Sequence, residues 1–89
     1  MKNIKVIKAK YLQDFKIDIE FSDGIRNEID LKDELWGEIF EPLNNVNYFK
    51  NFKINPFTIY WENGADFSPE FLHELAKKKE YSIADKKVN

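Results

Sequence analysis

The chain has 89 residues, of which 34% are charged and 16% aromatic, with a net charge of −2 and no cysteine. That length fits one domain, and without cysteine there is no disulfide, no thiolate nucleophile and no cysteine-ligated zinc or iron–sulfur centre. No stretch approaches the roughly 18 consecutive apolar residues of a membrane span, no signal-peptide pattern is present, and the expected setting is the cytoplasm.

The charge is unevenly spread. Residues 1–10 carry +4 and residues 77–89 carry +3, which leaves −9 on the residues between them. Brought together, the two ends would form a basic patch on an acidic body. The plainer expectation is solvated lysines on a strand edge and on a tail.

In chain order, the first element is a strand from Ile4 to Leu12. Ile4 and Val6 share one face, whereas Ile7, Ala9 and Tyr11 share the other, so a β-bulge is expected near Val6-Ile7. Lysines among these residues suit an edge strand. The second strand alternates cleanly, with Phe15, Ile17, Ile19 and Phe21 against Lys16, Asp18 and Glu20.

Ser22-Asp23-Gly24 turns the chain into a third strand bearing Ile25, Ile29 and Leu31. Register decides the loop length. A two-residue loop would pair Phe21 with Arg26 and split the apolar sets between opposite faces. A three-residue loop pairs Phe21 with Ile25, Ile17 with Ile29 and Phe15 with Leu31. The second register is expected, with Gly24 left-handed in a G1 bulge.

Leu35, Trp36, Ile39 and Phe40 then recur at helical spacing among Asp33, Glu34, Glu38 and Glu41, which predicts a short amphipathic helix. Gly37 weakens it and Pro42 ends it. Asn44 and Asn45 can cap a second helical turn carrying Val46 and Phe49. Phe52 and Ile54 lead through Asn55-Pro56 to a last strand, Phe57 to Trp61, with Phe57, Ile59 and Trp61 on one face. Asn63-Gly64 supplies turn chemistry, and Asn63 and Asp66 are expected to bond backbone groups within that turn. Ser68 is the N-cap and Pro69 the first residue of a final helix, whose buried stripe is Phe71, Leu72, Leu75 and Ala76 and which frays through Lys77-Lys78-Lys79.

The predicted fold is α+β. An antiparallel sheet of about four strands begins as a β-hairpin meander and is followed by short helices, a strand and a C-terminal helix. Residues 1–80 form the domain, and residues 81–89 are expected to be a mobile tail.

Catalytic chemistry is thin. His73, the lone histidine, has only Glu70, Glu74 and Lys77 near it in sequence, too little for a metal site, and is expected on a solvated helix face. The acids Asp30, Asp33, Glu34, Glu38 and Glu41 are expected to be solvated rather than paired for acid–base work. Three glycines cannot build a phosphate loop. No catalytic residue, metal or cofactor is expected, and the chain is not read as an enzyme. Nucleic acid is disfavoured by the acidity and by a single arginine, Arg26; the alternative reading, a nucleic-acid accessory, would use the terminal lysines with tyrosines for stacking. Surplus aromatics point elsewhere. Trp36, Tyr60 and Trp61 cannot all be buried in so small a core, so they are candidate interface residues for a protein partner or for self-association.

The sequence resembles the small bacterial proteins grouped as DUF2442, a family of unknown function. The resemblance covers about Ile4 to Leu72 and rests on Phe21-Ser-Asp-Gly24, Asp30-Leu31, Phe40-Glu-Pro-Leu43, Phe49 and Trp61-Glu-Asn-Gly-Ala-Asp66 with Pro69 and Leu72. Glu62 departs from the proline often found before Asn-Gly. The resemblance implies an α+β fold and no transferable catalytic residue. It also implies an antitoxin-like role beside a small neighbouring protein. Asp23, Gly24, Trp61, Asn63, Gly64, Asp66, Ser68 and Pro69 are read as its structural signature.

Overall fold

The computed structural model describes residues 3–88, with side-chain surroundings described through Lys78. Strands β1 (Val6–Gln13), β2 (Lys16–Phe21) and β3 (Arg26–Asp30) form an antiparallel meander with β2 in the centre. The predicted bulge is present: the pairing slips between Val6 and Lys8. One extra residue there turns Ile7 out, 49% exposed, and lets Val6, Ala9 and Tyr11 oppose Phe21, Ile19 and Ile17 on one face. The β2–β3 register is also the predicted one, with Ile17 opposite Ile29. Beyond the ladder ends, Phe21 N–H donates to Ile25 O at 2.8 Å and Leu31 N–H to Phe15 O at 2.9 Å.

Asn27 stands on the inner face of β3 opposite Ile19. A half-buried amide there requires partners, and it has them. Its Nδ2 donates to Ala76 O at 3.1 Å and its Oδ1 accepts from Glu28 N–H at 3.0 Å. The first bond clamps helix α2 (Pro69–Val88) onto β3.

The α+β class holds, and among the described residues five strands divide between two sheets. Lys53–Ile54 (β4) pairs with Ile59–Tyr60 (β5) in a separate hairpin. The final strand is therefore shorter than Phe57 to Trp61. Asn55 accounts for this: its Oδ1 accepts from Phe57 N–H at 2.7 Å and Thr58 N–H at 2.8 Å, so the chain turns through Phe57 rather than extending. Phe57 is left 58% exposed, whereas its neighbour Thr58 is buried and donates from Oγ1 to Phe67 O at 2.6 Å.

The amphipathic helix predicted after Leu31 does not form. Two 3-10 segments, Lys32–Glu34 and Glu38–Asn44, stand in its place, separated at Gly37 with φ 97° and ψ 156°. That conformation is essentially open to glycine alone, so Gly37 breaks the helix rather than merely weakening it. Pro42 lies inside the second segment rather than ending it. Asn45 caps α1 (Val46–Phe49), accepting from Asn47 N–H at 2.9 Å, while Asn44 turns back to Leu35 O at 3.2 Å.

Ser68 caps α2 as predicted, accepting from Phe71 N–H at 3.1 Å. Leu72 and Ala76 are fully buried and Leu75 packs partly against the core. The expected domain boundary at residue 80, and the tail expected over 81–89, lie outside the residues whose side chains are described. Among the described residues no helix is long and apolar enough to cross a membrane.

Candidate protein-interaction site

Two turns organise the surface, and they are built alike. In Phe21–Ile25, Gly24 N–H donates to Phe21 O at 3.0 Å and Ile25 N–H to Asp23 Oδ1 at 3.1 Å. In Trp61–Ala65, Gly64 N–H donates to Trp61 O at 3.0 Å and Ala65 N–H to Asn63 Oδ1 at 3.0 Å. The glycine φ values are 93° and 95°. An aromatic anchors each turn from the core, and an Asx side chain closes it.

Each Asx residue also reaches away from its turn. Asn63 Nδ2 donates to Ile39 O at 2.9 Å, and Asn63 N–H donates to Tyr48 Oη at 3.1 Å. Asp23 Oδ2 meets His73 Nε2 at 2.8 Å. The solvated histidine expected from the sequence is thus corrected: the His73 side chain is 14% exposed and packs edge-on against Phe21 with centroids 5.0 Å apart. This helix position is covered by a turn from 50 residues earlier. The bond to Ile25 N–H holds the Asp23 carboxyl below its ordinary value of 3.8, opposed by partial desolvation and aided by His73. A carboxyl so depressed stabilises the fold above its unfolded pKa, and that contribution fades as pH falls through the folded value. Asp23→Asn should therefore be less stable than the parent at pH 7, and the margin should shrink as pH falls through the carboxyl's depressed folded value. Urea denaturation at pH 7 and pH 3 checks this; an unchanged margin would remove the carboxylate's role.

Trp61, a candidate interface residue by sequence, is 1% exposed. Its Nε1 donates to Phe49 O at 2.8 Å, and Phe49, Phe52 and Phe67 surround it at 5.6, 6.2 and 5.9 Å. It is the centre of the aromatic core and offers no surface. Tyr60 is half-buried on β5, where its backbone bridges to Asp66. Asp66 thus pairs through its main chain.

Trp36 is 76% exposed. It borders a cleft of about 300 Å³ whose walls also include Phe40, Phe67, Phe71, Glu34 and Asp66. Phe40, Phe67 and Phe71 form a stack, with centroids 4.9 and 5.7 Å apart and planes within 26° and 16°. Phe67, 7% exposed, is the middle ring and meets Trp61 edge-on. The cleft is thus seated on the core. The break across Leu35, Trp36 and Gly37 places Trp36 there, off the buried stripe that a continuous helix would have given it. Trp36 is legible in the sequence as a surplus aromatic but its companions are not, because Phe40 and Phe71 fall at periodic core positions and Phe67 precedes the cap.

The outer face of the sheet is a weaker candidate. Lys8 opposes Glu20, Lys10 opposes Asp18, and Glu20 opposes Arg26, so its charges neutralise one another across strands. Arg26 also forks onto Asp18 at 2.7 and 3.1 Å. Among the described residues no group of three or more His, Asp or Glu side chains is placed to hold a metal ion.

These features define a small α+β domain with a two-sheet core and an aromatic cleft open to solvent. Residues 6–78 match the model of DUF2442, described as a protein of unknown function, and the chain belongs to that family. No curated protein and no solved structure matches it.

Proposed function

We propose that this chain is a non-enzymatic protein-interaction module that docks a partner protein on the Trp36 cleft. The exposure of Trp36 carries the reading. A tryptophan three-quarters in water adds little to the fold, yet tryptophan is among the residues that dominate binding energy at interfaces. The stacked phenylalanines beside it supply a rigid apolar floor, and the carboxylates a polar rim. The finer form of the proposal is an antitoxin-like pairing with a small neighbouring protein, the role that the resemblance to DUF2442 implies.

Trp36→Ala should leave stability within about 0.5 kcal/mol of the parent, as an exposed side chain does, while weakening a complex by tenfold or more. Co-expression with the product of the adjacent gene, followed by size-exclusion chromatography and calorimetry, measures both. A complex indifferent to Trp36→Ala would move docking off the cleft. No complex at all would defeat the antitoxin-like pairing.

A further inference from the structure

We infer that the Trp36 cleft receives an arginine side chain of the partner protein. The inference rests on the docking reading and specifies its chemistry. Four aromatic residues line the cleft (Trp36, Phe40, Phe67 and Phe71), together with the carboxylates Glu34 and Asp66 and no basic residue. Ring faces are electronegative and attract cations. The near-parallel planes of Phe40, Phe67 and Phe71 favour a flat group that continues the stack. A guanidinium is both flat and cationic, and its fork matches a carboxylate. A lysine ammonium supplies the charge without the plane.

One feature of the cleft opposes a cation. The N-terminus of α2 enters its wall at Ser68, and a helix end presents roughly half a positive charge. Ser68 Oγ already accepts Phe71 N–H at 3.1 Å, and Glu70 sits in the first turn. Glu34 and Asp66 add two acidic residues to the lining, so its formal charge favours a cation. A second copy of this chain is a poor donor of the group. Arg26 is its only arginine, and Asp18 holds it at 2.7 Å. The arginine therefore comes from a different protein.

The test follows the indole N–H resonance of Trp36 in the isotope-labelled full chain, with the buried Trp61 indole as internal control. N-acetyl-arginine amide, its neutral isostere N-acetyl-citrulline amide and N-acetyl-leucine amide are titrated in turn. The expected result is a saturable Trp36 shift with the arginine compound, at least about tenfold weaker binding of citrulline, and a comparable loss in Glu34→Gln/Asp66→Asn. Both substitutions are on exposed or half-exposed positions, and an unmoved Trp61 resonance verifies the fold. Equal response to citrulline, or preference for leucine, overturns the arginine assignment while leaving protein docking at the cleft standing. An absence of saturable response to the arginine compound also overturns the assignment. The docking reading fails separately, through a complex that survives Trp36→Ala.

Discussion

Trp61→Ala is expected to cost about 3–5 kcal/mol, the range for removing a buried large aromatic. Domains of this size have about 0.05–0.15 kcal/mol of stability per residue, so the variant would stand near the edge of unfolding. Three losses combine. The indole leaves a void between Phe49, Phe52 and Phe67. Phe49 O loses the Nε1–H donor that ties α1 to the residue following β5. The Phe40–Phe67–Phe71 stack loses the edge contact on which its middle ring rests. Trp61→Phe narrows these effects, because it keeps an aromatic ring and most of the volume while deleting the donor and the five-membered ring; about 1–3 kcal/mol is expected from the orphaned carbonyl, with a smaller cavity cost added to it. Urea denaturation of the two variants measures both quantities. A loss below about 1 kcal/mol for Trp61→Ala would contradict its central place in the core.

The same residue shows how far the sequence could be read. Phe57, Ile59 and Trp61 alternate as a strand should, and burial follows at Ile59 and Trp61 but not at Phe57. The Asx turn at Asn55 overrides the alternation, and its effect depends on which backbone groups the amide reaches in three dimensions. The meander was legible for the opposite reason. Ile17, Ile19 and Phe21 could face the core together with Ile29 in only one register, so apolar period and turn length had to agree. Asn27 was invisible because a polar residue at an inward position reads as a gap; its role appears only when the helix carbonyl of Ala76 stands opposite. His73 failed likewise, since helix-local neighbours say nothing about a turn 50 residues away. The cleft was half legible. Excess aromatics announced an exposed one, but which ring was exposed depended on a break over Leu35–Gly37 in a helix that periodicity favoured.

Gly24→Val is expected to destabilise by at least about 2 kcal/mol, since a left-handed backbone costs an ordinary residue roughly 1–2 kcal/mol and a β-branched one more. Crowding is not the cause. A Cβ built at Gly24 meets no atom within 4 Å, so the penalty lies in φ at 93°. The turn cannot relax cheaply to a more comfortable conformation. Adding or dropping one loop residue would exchange the faces of β3 and take Ile29 out of the core while turning Glu28 inward. It would also pull Asp23 from Ile25 N–H and from His73, uncoupling β3 from α2. Conformation and crowding predict different orders among variants. If φ governs, Gly24→Asn should cost clearly less than Gly24→Val, because asparagine tolerates the left-handed region. A synthetic chain with D-alanine at position 24 should match or exceed the parent, since its preferred φ is positive and its unfolded state is less free than glycine's. Thermal unfolding of the three chains ranks them. Valine and asparagine of equal cost, or a D-alanine chain as weak as the valine one, would transfer the explanation from backbone conformation to the side chain.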